Sequence, residues 1–245
     1  MIQAEGLYKS FGSKKAVEGV SFIARDGEIT GLLGPNGAGK TTTLRMLYTL
    51  MRPDAGRVLV DSIDAQTHPV EVRRRLGVLP DARGLYRRLT ARENIQYFAA
   101  LQGLSAEQTR TRIELLIKTL AMEDIADRRT EGFSQGERLK TAIARALVHD
   151  PGNVLLDEPT NGLDVMATRS LREFLRQLKG EGRCVLFSTH IMQEVAALCD
   201  RIVIIAQGRV VADGSAEELK EQAHEQSLEE AFMKIIGAAT IGGLA

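Results

Sequence analysis

The charges of this chain leave no surplus of either sign: Lys and Arg together number 32, and so do Asp and Glu. Proteins that hold nucleic acid through its phosphates show a basic excess or stripe, so the balance argues against a nucleic-acid partner. Cysteine is scarce as well. Cys184 and Cys199, the 2 present, lack metal-ligand spacing and sit beside Val185-Leu186-Phe187 and Ala196-Ala197-Leu198. This predicts buried thiols rather than a disulfide or a reactive site, which suits the cytosol. No apolar run approaches the ~20 residues that span a bilayer. The opening residues, Met1 to Glu5, have no basic start and no apolar stretch, so no secretory signal is expected there. Repeats, low-complexity segments and sustained heptads are missing too, and without heptads no long coiled coil is expected.

What is present is enough for a sizeable core. The 245 residues are 44% hydrophobic and 26% charged, which suits one large domain or two small ones at roughly 100–200 residues each. Short apolar runs read as buried strands: Ile29 to Leu33, Leu76 to Leu79, Val154 to Leu156, Cys184 to Phe187 and Ile202 to Ile205. Between them lie amphipathic helices, as in Leu171, Phe174, Leu175 and Leu178 at i, i+3, i+4 and i+7. Strand–helix alternation predicts an α/β fold with a mostly parallel sheet.

Two regions depart from that alternation. The first ~25 residues read as strands without helices, hence a small antiparallel β subdomain. Residues 85–150 read as an inserted α-helical subdomain with helices at Ala91–Leu101, Ala106–Leu120 and Gly136–His149, bordered by Pro80 and Pro151. After a hairpin turn at Gln207-Gly208, an acidic helical stretch with a solvated face is expected, then an uncharged flexible tail over 237–245.

Gly34-Pro35-Asn36-Gly37-Ala38-Gly39-Lys40-Thr41 fits G-x-x-x-x-G-K-[ST] and follows a predicted strand. Glycines let successive backbone N–H groups turn inward around phosphate oxygens, and the following helix adds its N-terminal partial charge. Lys40 can reach the β- and γ-phosphates, and the Thr41 hydroxyl can ligand Mg²⁺. A ligand-free glycine turn is an improbable alternative with strand, helix and Lys-Thr in register.

Val154-Leu155-Leu156-Asp157-Glu158 is an apolar strand ending in two carboxylates. Successive strand residues point to opposite faces, so the two cannot do the same job. One suits the Mg²⁺ shell; the other can polarise water toward the γ-phosphate. His190 ends another strand, and ligands of open parallel sheets bind at that edge, which puts His190 on the rim with the phosphate loop. His68, His149 and His224 follow no buried strand and read as surface residues.

These pieces, in this order, resemble the ATPase domain of ABC transporters over nearly the whole chain, 1–236 as one domain. Phe133-Ser134-Gln135-Gly136-Glu137, at the start of a helix, is similar to the family's Leu-Ser-Gly-Gly-Gln signature, and a serine and glycine at a helix N-terminus form an anion site. The resemblance implies that Ser134 and Gly136 serve the ATP of a second ATPase subunit, in a head-to-tail dimer with two nucleotides. Pro159-Thr160-Asn161-Gly162-Leu163-Asp164 is similar to the D-loop. By position, Phe11 matches the aromatic that stacks on adenine, and Gly34 to Thr42 (hence Thr42 too) match the phosphate loop. Asp157 matches the metal-shell carboxylate, Glu158 the general base and His190 the switch histidine. An integral membrane permease on a separate chain is implied, which places this chain at the cytoplasmic face of the cell membrane.

Two departures from the family stand out. Where glutamine usually touches Mg²⁺, Leu79-Pro80 is followed by Asp81, and the signature carries Gln135 and Glu137. Aspartate can still meet Mg²⁺, directly or through water. The run from Leu76 to Asn94, with Phe133 to Gly136, is most similar to ATP-binding subunits of sodium-exporting ABC systems. Exporters of drugs, antibiotics or polysaccharides share the pattern, and an iron–sulfur assembly ATPase is an alternative. Arg73, Arg74, Arg75, Arg83, Arg87, Arg88 and Arg92 surround the segment that meets the membrane subunit in the family, as a solvated face or a docking patch alike.

Overall fold

The computed structural model describes residues 1–81 and 84–242. Its core is a six-stranded sheet in the order β10-β9-β3-β8-β7-β6, formed by β3 (Ile29–Leu33), β6 (Leu76–Leu79), β7 (Asn153–Asp157), β8 (Cys184–Thr189), β9 (Arg201–Ala206) and β10 (Arg209–Gly214). All neighbours pair in parallel except β9 and β10. Every residue of β3, β7 and β8 is buried. Their uninterrupted apolar runs have a simple cause: both faces of the sheet are covered. Val154 and Leu156 face one hydrophobic cluster with the helical insertion, whereas Leu155 faces a second cluster with the N-terminal sheet.

That second sheet is antiparallel, in the order β2-β1-β4-β5. β1 (Ile2–Phe11) and β2 (Lys14–Ala24) were expected. β4 (Ala55–Val60) and β5 (Ile63–Asp64) were not, because Ala55-Gly56-Arg57 is exposed and carries no apolar alternation. β1 is shared, with Ile2 opposite Ala24 on one side and Val60 on the other.

The insertion between β6 and β7 holds α3 (Ala91–Leu101), α4 (Ala106–Thr119) and α5 (Gln135–Leu147). Each starts at a capping box, Thr90 with Glu93, Ser105 with Gln108 and Ser134 with Glu137, which satisfies two orphan backbone donors reciprocally.

Three expectations need correction. His149 is not a surface residue: its Nε2 lies 3.1 Å from the Leu76 carbonyl oxygen, and burial lowers its pKa. The expected turn at Gln207-Gly208 exists, with φ of 49° and 77°, and matches the twist of a two-residue hairpin. It leads into strand β10, however, before the acidic helices α8 (Ala216–Ala223) and α9 (Leu228–Gly242). The expected tail is helical through Gly242, while 243–245 and Arg83 of the arginine-rich stretch lie outside the described residues. Both cysteines are free, and burial pushes the Cys184 thiol up to about 12. Among the described residues no helix is long and apolar enough to cross a membrane.

Candidate functional site

The phosphate loop joins β3 to α1 (Lys40–Leu47) at the C-terminal edge of the core sheet. Gly39 caps α1 at φ 105°, without a side-chain cap, so the first N–H groups of the helix keep no internal partner. A Cβ at Gly39 would lie 2.5 Å from the Ala16 carbonyl oxygen, and one at Gly34 would lie 2.2 Å from that of Ile205. The loop is threaded between β2 and β9 where only glycine fits. The β9–β10 turn clasps it: Gly208 N–H donates to the Ala38 carbonyl at 2.9 Å, and the Gly208 carbonyl accepts from Glu18 N–H at 2.7 Å.

Lys40 is buried and donates to the loop's own carbonyls, Gly34 at 2.8 Å and Pro35 at 3.2 Å. Its Nζ also lies 3.4 Å from Glu158 Oε1. The other oxygen, Glu158 Oε2, lies 2.9 Å from His190 Nδ1. Glu158 therefore sits between an ammonium and an imidazole. It reaches this place through a backbone at φ +47°, which costs a non-glycine residue roughly 1–3 kcal/mol. A strain of that size is kept where the surrounding structure over-determines the residue.

Asp157 ends β7 and is 3% exposed. It accepts from Ser188 Oγ at 2.6 Å and from Thr41 Oγ1 at 3.3 Å. Burial is the largest influence on this carboxyl and raises its pKa. The Ser188 and Thr41 hydrogen bonds pull the pKa down, and the charges of Asp81 and Glu158 push it further up. Thr41 and Asp157 supply hard oxygen donors that fit Mg²⁺, which binds through one or two carboxylates plus substrate phosphates rather than a full protein cage. Among the described residues no cluster of three or more His, Cys, Asp or Glu placed to hold a metal exists.

A cavity of about 410 Å³ gathers Phe11, Asn36, Gly37, Gly39, Lys40, Thr41, Thr42, Asp81, Glu158 and His190. Gly34, Pro35 and Ala38 complete the loop beneath it. Phe11 sits at the tip of the β1–β2 hairpin, opposite Lys14, and is half exposed. Ser134 and Gly136 are not in this cavity. Gly136 lines a separate groove with α4 and α6 (Val165–Gly180), and Ser134 caps α5. Its Oγ accepts from Glu137 N–H at 3.2 Å while the Glu137 carboxylate accepts from Ser134 N–H at 2.7 Å. A hydroxyl that accepts keeps its own hydrogen for another acceptor. The unusual Glu137 is thus a capping residue, held by Arg128 at 2.8 Å, and the hydrogen bond from Ser134 N–H is the largest cause of its lowered pKa.

Among the clustered arginines that the structure describes, Arg73 bonds Thr49, Arg75 bonds Glu71 and Arg92 bonds Asp127. Sequence reasoning missed Ser188. Its Oγ holds the Asp157 carboxylate and also accepts from Glu158 N–H at 3.1 Å. The signal lay in register, since Ser188 pairs with Asp157 across parallel strands, and register between distant segments is not written in either one. Asn161 and Lys14 also line the cavity.

Residues 17–161 match the ABC transporter family. The chain is 49% identical over 220 residues to the ABC transporter ATP-binding protein NatA of Bacillus subtilis, covering 89% of each chain. It is 41% identical over 219 residues to a Nod factor export ATP-binding protein I of Ralstonia nicotianae, covering 89% of this chain and 68% of that one. Among solved structures it is similar to an ATP-binding subunit of an ABC transporter, with TM-score 0.88, 30% identity and coverage of 96% and 99%. The dimeric post-hydrolysis state of an ATP-binding cassette with ADP and Pi gives TM-score 0.79 at 27% identity, covering 88% and 98%.

Proposed function

We propose, on the premise that the chain belongs to the ABC transporter family as an ATP-binding, ATP-hydrolysing subunit, that it drives an exporter whose permease is a separate integral membrane protein, and that the exported species is the sodium ion. Residues 1–236 act as one ATPase domain, held peripherally at the cytoplasmic face of the membrane by that permease. The observation that carries the ATPase geometry is Glu158, held between Lys40 and His190.

In this reading Phe11 stacks on adenine, and the backbone from Gly34 to Thr42 with Lys40 holds the phosphates. Thr41 and Asp157, with Asp81 beside them, would hold Mg²⁺, which would supply positive charge for the phosphate oxygens. Glu158 takes the proton of the attacking water, and His190 orients that water against the γ-phosphate. Ser134 and Gly136 meet the nucleotide of a second copy of the chain. The dimeric relative with ADP and Pi supports the pairing, as does the hydroxyl hydrogen that Ser134 keeps for an acceptor.

The sodium assignment is supported by the likeness to NatA and by the run from Leu76 to Asn94. Export of another substrate is the competing reading, favoured by the likeness to a Nod factor exporter. The chain co-expressed with its permease in sodium-sensitive cells is expected to drive ²²Na⁺ efflux that vanishes with Lys40→Ala. Efflux of a drug, an antibiotic or a polysaccharide without sodium would overturn the assignment.

Asp81 gives a sharper local test. It adds a negative charge beside Asp157, so Asp81→Ala is expected to raise the Mg²⁺ concentration for half-maximal ATPase activity several-fold. An unchanged Mg²⁺ dependence removes it from the metal shell.

A further inference from the structure

His190 sits on a loop, and a loop histidine positions water only if its backbone is fixed. The residues on either side of it provide that restraint. Thr189, the last residue of β8, is fully buried and pairs in parallel register with Leu33. Its hydroxyl donates to Glu194 Oε2 at 2.6 Å. With its hydrogen committed there, Oγ1 accepts from the backbone N–H of Ile191 at 3.0 Å. His190 is the residue between, and its Nδ1 meets Glu158 Oε2 at 2.9 Å.

Glu194 is only 2% exposed, in the seven-residue helix α7 (Met192–Leu198) that packs under β3 and β8. A carboxylate is costly to bury unless it is hydrogen-bonded. The bond it accepts from Thr189 gives the buried carboxyl group that partner. It also decides which way the hydroxyl points: were the Thr189 hydrogen turned toward Ile191, two hydrogens would face each other and the loop would lose its anchor.

Resting on the role assigned to His190 above, we infer that Thr189 and Glu194 are positioning residues for His190, forming a buried relay from α7 through β8 to the imidazole. Neither needs to touch nucleotide. Ser188, Thr189 and His190 then divide one strand end among three tasks. Ser188 fixes the Asp157–Glu158 turn, Thr189 fixes the loop and His190 meets Glu158.

The test uses Thr189→Val, which keeps the shape and removes the hydroxyl, Thr189→Ser as the rescue, and Glu194→Gln. Thr189→Val is expected to lower kcat for ATP about tenfold with KM within about twofold, as fits loss of an interaction exerted in the transition state. Thr189→Ser is expected to stay within about twofold of the native rate. Imidazole ¹⁵N–¹H spectra at constant pH supply a second readout, with the His190 resonance assigned by its loss in His190→Gln. That resonance is expected to move in Thr189→Val and, by less, in Glu194→Gln, while those of His68 and His224 stay in place. A native kcat in Thr189→Val overturns the inference. So does a lowered kcat with an unmoved His190 resonance, since it reports a general structural effect. If Thr189→Val does not fold, an unmoved resonance in Glu194→Gln overturns the inference by itself. The spectra need no turnover, so a chain lacking ATPase activity would sink the assigned reaction and leave this result standing.

Discussion

Glu158→Gln is expected to lower steady-state ATP hydrolysis by about 10²–10⁴-fold, the usual contribution of a positioned base, while nucleotide binding persists. The substitution preserves the side chain's size and its contact with His190 but removes the ability to accept a proton. Lys40 lies on the phosphate-loop side of the cavity, 3.4 Å from Glu158. Removing the carboxylate charge frees that ammonium, so binding is expected to hold or improve. A chain that binds ATP without consuming it should accumulate as the nucleotide-bound pair. Glu158→Gln with ATP is expected to run as a dimer in size-exclusion chromatography and as a monomer without nucleotide. Phosphate release near the native rate counts decisively against Glu158 as the base, and a monomer under both conditions counts against Ser134 completing a neighbour's site.

Lys40→Ala is expected to act at the opposite stage, on binding. A hydrogen bond to a charged group contributes roughly 1.5–3 kcal/mol, which corresponds to about 10–150-fold in dissociation constant. The buried ammonium donates to the Gly34 and Pro35 carbonyls and is within the loop that would hold the phosphates. Loss of the side chain also leaves Glu158, at 11% side-chain exposure, with His190 as the remaining partner of the two. Titration with a fluorescent ATP analogue checks the prediction. An affinity within twofold of native would mean that the backbone N–H groups of the loop hold the phosphates without Lys40.

Much of the site was legible in the sequence because its parts are local. Gly34 to Thr41 carry their chemistry within eight positions, and the order of strand, glycines, lysine and helix predicts the cradle without knowing its neighbours. The five buried strands were legible for a similar reason: a sheet covered on both faces leaves unbroken apolar runs. What failed were elements whose identity depends on a distant partner. Exposed Ala55-Gly56-Arg57 becomes a strand because β1 offers it an edge, and Arg209–Gly214 becomes one because it folds back on β9. His149 looked like any polar helix end until the Leu76 carbonyl was placed against it.

The sequence by itself determined the phosphate loop, the paired carboxylates after an apolar strand, the strand-end histidine and the serine at a helix start, since each is a short pattern with a physical purpose at its own spacing. Only the tertiary structure decided how they meet. The register that puts Ser188 against Asp157 and Thr189 against Leu33, the left-handed backbone that turns Glu158 between Lys40 and His190, and the separation of Ser134 from the cavity are settled only when segments far apart in the chain pack together, as Leu33 and Thr189 do in parallel register. Such pairings are fixed by the packing of two hydrophobic layers onto one sheet, and no window of the sequence contains both sides of the contact.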